Sequence, residues 1–292
     1  MKVVSLPDVE PGSGPRRVAI GTFDGVHLGH REVIGGAGTV LTFDPHPLAV
    51  IHPEAKPRLI STFPVKRDLI EGLGVEELVV IPFDEGFSSQ TAEEFVQDVL
   101  IDRLGAEQVS VGENFRFGKG AKGTAEFLSG HDEFETRVVP LVEAAGETIS
   151  SSHIRGLIAA GDMSQAAEFL GGPFLFEGEV VAGDRRGREL GIPTANILPD
   201  EGYVVPGHGV YAATAHGHPA AVNVGVRPTF ETGRGLLVEA HLIGFDGDLY
   251  GQTLRIAFLE RLRGEKRFES VDELVAQMNR DVEQAKRIVE SR

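Results

Sequence analysis

Short apolar runs alternate with helical patterns along the first half of the chain. The runs that we interpret as strands cover residues 18–20, 39–43, 77–83, 108–111 and 136–140. Thr91 and Glu94 have the spacing of a capping box, which predicts a helix N-terminus at this point. The apolar face of this helix contains Phe95, Val99 and the positions of Ile101 and Leu104. Since alternating strands and helices are typical of a parallel sheet, the pattern predicts an α/β domain.

The pattern changes after residues 170–173, which have the sequence Leu-Gly-Gly-Pro. Predicted strands then follow one another with glycine-rich turns between them, at residues 175–181, 210–214, 220–224, 236–243 and 253–259. This succession predicts an antiparallel barrel or sandwich. A second capping-box spacing at Ser270 and Glu273 begins a long amphipathic helix whose apolar stripe is core. We therefore predict two domains, residues 1–170 and residues 171–292.

Composition narrows the classes of function. The 28 basic and 44 acidic residues give a net charge of −16, which argues against a general binder of nucleic acid or of anionic membranes. The chain has no cysteine, so zinc–thiolate sites and thiol nucleophiles are excluded. We find no signal peptide and no apolar run of membrane-spanning length. These features predict a cytoplasmic protein with small-molecule partners and leave homo-oligomerisation open.

The first candidate site is the stretch of residues 21–30, which follows a predicted strand. Gly21, Gly25 and Gly29 permit tight turns that bring backbone N–H groups close to a ligand. His27 and His30 are three residues apart, so one helical turn places them on the same face. A helix N-terminus beside them favours a phosphate. The alternative interpretation is a simple strand-to-helix turn with surface histidines.

Two further segments in the first half have similar chemistry. Residues 112–120 place glycines, the Asn114 amide and basic side chains at the end of a predicted strand. Residues 150–155 place three serines and Arg155 at a predicted helix N-terminus. A cation in the first turn is unfavourable for the helix dipole unless an anion lies over that terminus. The alternative for residues 112–120 is a surface loop, and the alternative for residues 150–155 is an ordinary serine-capped helix.

Two segments in the second half also have candidate chemistry. Residues 183–191 are glycine-rich and basic and predict a flap suited to polyphosphate. Thr194 and Asn196 then place a hydroxyl and an amide oxygen on one face of an extended segment, a pair of ligands that suits Mg²⁺. Glu239 lies in a predicted strand and is a candidate general base for a hydroxyl nucleophile. The alternative for residues 183–196 is a hairpin turn followed by the start of a strand. The alternative for Glu239 is an acid that faces outward.

Taken in order, these motifs resemble the bacterial bifunctional riboflavin kinase/FMN adenylyltransferase family over nearly the whole chain. Two segments of the second half are highly specific in combination, Pro-Thr-Ala-Asn at residues 193–196 and Asn-Val-Gly-Val-Arg-Pro-Thr at residues 223–229. The resemblance implies an α/β nucleotidyltransferase-like parallel-sheet domain over residues 1–170. It implies a riboflavin kinase-like six-stranded barrel with a C-terminal helix over residues 171–292.

The resemblance also implies the reactions and the residues that perform them. Riboflavin would be phosphorylated by ATP to FMN, and FMN would be adenylylated by a second ATP to FAD. The implied catalytic residues are Glu239, His27, His30 and Arg155, and Mg²⁺ would be held by Thr194 and Asn196. The implied ATP and phosphate ligands are Gly21, Phe23, Asp24, Gly25, Asn114, Ser151, Ser152, Gly183, Gly187 and Gly191. The implied flavin-binding residues are Asn223, Arg227 and Leu262.

One feature departs from the family pattern, and other functions stay open. Only nine residues separate His30 from Val40, and they include three glycines, whereas the family usually has a longer helix there. The alternatives are an enzyme in which only the kinase domain is active, an adenylyltransferase for another substrate, and a non-catalytic flavin sensor. Intact Thr194, Asn196 and Glu239 argue against a sensor, because binding alone requires neither metal ligands nor a base.

Overall fold

The computed structural model describes residues 1–182, 192–229 and 233–292. The chain forms two compact units, and each is treated by itself. The first unit comprises Met1–Pro57 and Phe63–Ser151, and the second comprises Arg58–Thr62 and Ser152–Arg292. The family resemblance and the change of pattern place the boundary near residue 170, whereas the compact units divide at Ser151. In the part of the chain that the structure describes, no helix is long and apolar enough to cross a membrane.

The strands of the first unit confirm the predicted parallel α/β fold. They are β1 (Lys2–Ser5), β2 (Arg16–Ile20), β3 (Thr39–Asp44), β4 (Glu77–Pro82), β5 (Ala106–Gly112), β6 (Arg116–Phe117), β7 (Gly123–Thr124), β8 (Glu135–Val139), β9 (Glu143–Ala144) and β10 (Glu147–Thr148). Within residues 1–182, six of these strands form a sheet in the order β1-β4-β3-β2-β5-β8, and every pairing in it is parallel. The sequence pattern did not predict β1, a short edge strand with an exposed start.

Helices cover both faces of this sheet. They are α1 (Leu28–Ile34), α2 (Pro47–Ile51), α3 (Phe63–Glu71), α4 (Glu85–Ser88), α5 (Ala92–Glu94) and α6 (Ala125–Ser129). Alternate residues of β2, β3 and β4 enter opposite cores, as the strand period requires. In β2, for example, Val18 and Ile20 pack into one core and Ala19 into the other. The short α1 contributes Val33 and Ile34 to the second of these cores.

The helix predicted to begin at Thr91 is present but changes type along its length. Thr91 and Glu94 form the predicted capping box, and α5 continues as a π-helix over Phe95–Arg103. The wider turn holds more residues than an α-helical turn. Leu100 is fully buried although the predicted face did not include it, whereas Ile101, which the predicted face included, is only half-buried.

The second unit is a barrel closed by a C-terminal helix. Its helices are α7 (Ser151–Ala160, beginning at the last residue of the first unit), α8 (Met163–Leu170) and α9 (Val271–Glu290). Its strands are β11 (Phe174–Val181), β12 (Ala195–Ile197), β13 (Gly209–Ala215), β14 (His218–Thr229), β15 (Gly233–Leu242) and β16 (Thr253–Arg263). Among the described residues, these six strands close in the order β11-β12-β15-β14-β13-β16, and all pairings are antiparallel. The barrel alternative to the sandwich is thus confirmed.

Helix α9 packs on the barrel through the predicted apolar stripe and through one buried ion pair. Ala285 lies in a small core with Ala212 and Ala221. Asp281, only 4% exposed, accepts hydrogen bonds from Arg263 at 2.8–3.2 Å and from Gln277 at 2.8 Å. The ion pair fixes α9 to the end of β16.

The capping box predicted at the start of α9 forms only in part. The Ser270 hydroxyl accepts from the Glu273 N–H at 3.2 Å, as predicted. The Glu273 carboxylate instead accepts from the Glu269 N–H, one residue before the expected partner, where it also pairs with Lys266 at 3.2 Å. The helix N-terminus is capped as expected, although the reciprocal bond is displaced by one residue.

We predict that Asp281→Ala destabilises the second unit by about 3 kcal/mol, because removing one partner leaves the partly buried Arg263 charge uncompensated. All three tyrosines, at positions 203, 211 and 250, lie in this unit, so urea denaturation followed by tyrosine fluorescence measures its unfolding. The matched control is Glu290→Ala, which removes an exposed carboxylate 4.0 Å from Lys286 and is expected to cost less than about 1 kcal/mol. Equal losses in the two variants would contradict the assignment.

Candidate functional sites

The parallel sheet brings two of the predicted loops together. Within the sheet, β3 and β4 lie to one side of β2. The next strand, β5, pairs with the opposite side of β2. In such sheets the ligand site lies outside the carboxyl ends of the strands where the order reverses. The loops that follow β2 and β5 both line a cavity of about 960 Å³, which we call the histidine cavity. Its lining includes Gly21, Phe23, His27, His30, Asn114 and Ser151.

The loop after β2 has an unusual backbone. Phe23 (φ +49°) and Val26 (φ +43°) lie in the left-handed region, together with Gly25 (φ +83°). Non-glycine residues adopt this conformation at a cost, and such residues cluster at ligand sites. Phe23 and Val26 are fully buried in a core of the first unit. Packing of these side chains therefore holds the loop in its conformation.

His27 and His30 are brought together, but His27 acts as the cap of α1 rather than as part of its first turn. His27 Nδ1 accepts a hydrogen bond from the His30 backbone N–H at 3.3 Å. The two imidazole rings stack with centroids 3.5 Å apart and planes 17° apart. Phe23 contacts the His30 ring edge-on at 5.4 Å. Because Nδ1 of His27 is an acceptor, a neutral His27 ring carries its proton on Nε2.

Other predicted residues of the first half occupy defined positions. Asp24 is 4% exposed, and its carbonyl oxygen accepts a hydrogen bond from the Ser151 hydroxyl at 3.1 Å. Asn114 is exposed and lines the histidine cavity. Ser152 and Arg155 belong to the second unit, where Arg155 donates to the Ser152 hydroxyl at 3.4 Å. The predicted grouping of Ser152 and Arg155 with the histidines stays a prediction.

One side of the histidine cavity is a wall of phenylalanines that the sequence analysis did not assign as a site. It contains Phe43, Phe83, Phe87, Phe95, Phe115 and Phe117. Consecutive rings of this wall lie 5.2–6.2 Å apart in edge-on, tilted or stacked pairs. Flat aromatic ligands pack well against such surfaces. These residues come from separate strands, helices and loops, so no local spacing reveals the wall.

In the barrel, three neighbouring strands place polar side chains beside Glu239. In the strand register Glu239 on β15 lies opposite Asn196 on β12 and opposite Asn223 on β14. Directly opposite residues share one face of a sheet. Asn223 Nδ2 donates to Glu239 Oε2 at 3.2 Å. Glu239 and Asn223 line a cavity of about 630 Å³ between the barrel and α9, which we call the barrel cavity.

The barrel cavity also contains Thr194 and residues that sequence reasoning missed. His241, two residues after Glu239 and hence on the same face, contacts the Pro193 carbonyl oxygen through Nδ1 at 2.7 Å. Arg263 and Asp281, the ion pair that holds α9, also line the cavity. The signal for His241 was its strand spacing from Glu239, whereas the approach of Asp281 to Arg263 depends on the docking of a distant helix.

The remaining predicted residues of the second half either do not line the barrel cavity or lie outside the residues that the structure describes. Gly183, Gly187 and Gly191 lie outside the described residues. Arg227 lies on β14 opposite Gly235, and its side chain is also outside what the structure describes. Leu262 packs against the small core beneath α9, while its neighbour Arg263 lines the barrel cavity.

Comparisons with known proteins match both halves of the chain. The family model for riboflavin kinase matches residues 170–289, and the model for FAD synthetase matches residues 11–153. Proteins named bifunctional riboflavin kinase/FMN adenylyltransferase are similar along most of their length. The Bacillus subtilis (strain 168) protein is 36% identical over 92% of this chain and 90% of its own. The Escherichia coli (strain K12) protein is 35% identical over 90% of each.

A solved structure is similar in fold over nearly the full chain. It is described as a macrolide-efflux protein from Streptococcus pneumoniae and aligns with a TM-score of 0.86 and 32% identity, covering 98% of this chain and 99% of its own. That description differs from the names of the sequence relatives. The family models decide between them, because they match this chain directly in both halves.

The α/β fold, the barrel and the two family models thus place the chain in a class of two-part transferases that combine a nucleotidyltransferase with a kinase barrel. The chain belongs to the bifunctional riboflavin kinase/FMN adenylyltransferase family. The resemblance identified in the sequence is confirmed.

We predict that Gly21→Ala disrupts the histidine cavity. A Cβ at Gly21 would lie 2.9 Å from Phe23 Cε1, and the buried Phe23 ring can yield only by moving the loop. Overpacking of this kind costs about 1–3 kcal/mol, measured by denaturation followed by far-UV circular dichroism. The control is Gly38→Ala, where a Cβ meets no described atom within 4 Å. Unchanged stability and unchanged hydrogen exchange of residues 21–30 in Gly21→Ala would contradict the prediction.

Proposed function

We propose that the two activities of the family are divided between the two halves of this chain. Residues 171–292 would phosphorylate riboflavin to FMN, and residues 1–170 would adenylylate FMN to FAD. The observation that carries the proposal is that each unit has its own ligand-sized cavity, with His27 and His30 on the walls of one and Glu239 on the walls of the other. The described lining residues of each cavity all lie within the segment that matches the corresponding family model.

In the kinase step, the ribityl hydroxyl of riboflavin attacks the γ-phosphorus of ATP, and ADP leaves. Glu239 accepts the hydroxyl proton, and the hydrogen bond from Asn223 holds its carboxylate in one orientation. Phosphoryl transfer depends mainly on positioning and on neutralising charge. The position of Glu239 on a central barrel strand supports this role, because strands hold a side chain more rigidly than loops do. Riboflavin would lie beside Asn223, Arg227 and the segment of Leu262.

The residues of the barrel also fit Mg²⁺. Thr194 and Asn196 offer neutral oxygen ligands beside the Glu239 carboxylate, and hard oxygen donors suit this ion. Among the described residues no cluster of three or more histidine, cysteine or acidic side chains could hold a metal ion. When bound, Mg²⁺ supplies neutralisation of phosphate charge. Thr194 and Asn196 would orient it, and the segment of Gly183, Gly187 and Gly191 would cover the phosphates.

In the adenylyl step, a phosphate oxygen of FMN attacks the α-phosphorus of a second ATP, and pyrophosphate leaves. The nucleophile is already an anion, so this step requires no general base. His27 and His30 would stabilise charge on the transferring phosphate, and Asn114, Ser151, Ser152 and Arg155 would hold the polyphosphate. The backbone N–H groups of the loop from Gly21 to Gly25 support this placement, since they precede the N-terminus of α1. The phenylalanine wall would accept the flat ring of the flavin.

We expect the enzyme to act on small molecules in the cytoplasm. The net charge of −16 disfavours nucleic acid and anionic membranes as partners. A homo-oligomer remains open.

We predict that Glu239→Gln lowers the rate of FMN formation by about 10²–10⁴-fold, the usual effect of losing a general base. The amide keeps the size of the side chain but cannot take the proton. Riboflavin, ATP and Mg²⁺ are incubated with the full chain, and the flavins are followed by chromatography. FAD formation from supplied FMN should be unchanged. The matched control is Glu260→Gln, a half-buried carboxylate on β16. Full kinase activity of Glu239→Gln would remove Glu239 from this role.

We predict the converse pattern for His30→Ala. The imidazole that stacks on His27 is lost, so FAD formation from FMN should be abolished while FMN formation continues. His131→Ala is the control, because His131 also packs between aromatic rings of the first unit but is not among the residues of the histidine cavity. Loss of both activities in folded His30→Ala would contradict the division into two sites.

A further inference from the structure

Lys66 on α3 places a cation behind the loop that follows β2. Its Nζ donates to the Thr22 carbonyl oxygen at 3.3 Å and to Thr42 Oγ1 at 3.4 Å. The Thr42 hydroxyl, which is fully buried, donates to the same Thr22 carbonyl at 3.2 Å. The Thr22 carbonyl thus connects the loop to two other elements, which are α3 through Lys66 and β3 through Thr42.

That peptide group begins the strained part of the loop. The Thr22 carbonyl belongs to the peptide bond before Phe23, whose φ is +49°. Thr22 and Phe23 both line the histidine cavity, whereas Lys66 approaches the loop from α3. Two donors on one carbonyl fix the orientation of the peptide, and a fixed peptide determines where the following N–H groups point.

Two carboxylates interact electrostatically with the Lys66 ammonium group. Desolvation lowers the pKa of Lys66, and the carboxylates of Asp24 and Asp44 act in the opposite direction. Asp24 is nearly fully buried in the loop itself. A buried carboxylate beneath a polyphosphate site repels the ligand unless a cation offsets it. Lys66 is placed to supply that cation.

We propose that Lys66 is a positioning residue for adenylyl transfer, which orients the Thr22–Phe23 peptide and offsets the Asp24 charge beneath the bound polyphosphate. The proposal deepens the assignment of adenylyl transfer to the first unit and rests on it. Lys66 acts through the loop and does not itself contact the reacting atoms.

The test is a double-mutant cycle on the full chain, with FMN and ATP as substrates. Lys66→Gln keeps a hydrogen-bond donor but removes the charge, and we expect kcat/KM for ATP to fall about ten- to hundredfold, mainly through KM, as for loss of a charged hydrogen bond. In an Asp24→Asn background the same substitution should cost at least about tenfold less, because the carboxylate within the loop is then gone and no longer needs an offset. Kinase activity of the same chain should stay within about twofold.

The matched control is Lys2→Gln, which removes one positive charge at the start of the edge strand β1. The start of β1 lies at the amino ends of the parallel strands, whereas the loop follows the carboxyl end of β2. Lys2→Gln should leave adenylyl transfer unchanged. If Lys66→Gln does not fold, Lys66→Arg carries the test: since it keeps the charge, its KM for ATP should stay within about threefold of wild type, and a rise of more than about tenfold in folded Lys66→Arg would overturn the proposal.

Three results separate the possible failures. Wild-type KM for ATP in Lys66→Gln, or an equal effect of the substitution in both Asp24 backgrounds, would overturn the role of Lys66. Wild-type chain that forms no FAD from FMN and ATP would instead overturn the assignment of adenylyl transfer to this protein.

Discussion

The constraint that organises the first unit is the parallel pairing of β2 with both β3 and β5. Because all strands of the sheet run in one direction, the segments that follow them emerge at one edge. The reversal of strand order at β2 separates the crossovers to either side and leaves room between the loops after β2 and β5. The histidine cavity occupies this space, so its position follows from topology before any side chain is considered.

Side chains then give the two ends of this cavity different chemistry. The loop end carries the stacked His27 and His30 rings, the strained Phe23 backbone and the Ser151 contact to the Asp24 carbonyl. The other side is apolar and aromatic. A ligand with a charged phosphate and a flat ring matches both ends, which is the character of FMN and of ATP. In the barrel, closure plays the corresponding part, because it brings β12, β15 and β14 side by side and aligns Asn196, Glu239 and Asn223 across three strands.

Much of this was predictable from local patterns. Most strands of the large sheet and of the barrel follow from apolar runs of strand length, although β1 and β12 do not, and the Thr91 capping box follows from its spacing. The glycine–histidine loop was assigned as a site because its residue types suit phosphate. The predictions were less successful where the structure depends on non-local packing. Leu100 is buried in place of the predicted Ile101, and the Glu273 carboxylate binds one residue before its expected partner.

The sequence by itself determined the two fold classes, the family and the residues with candidate catalytic chemistry, because strand and helix periodicity, turn residues and ordered motifs are local properties. Only the tertiary structure decided which distant residues meet. The phenylalanine wall, the contact of Lys66 with Thr22 and the Asp281–Arg263 ion pair each join side chains far apart in the chain. No spacing encodes such contacts, since they depend on how whole strands and helices pack.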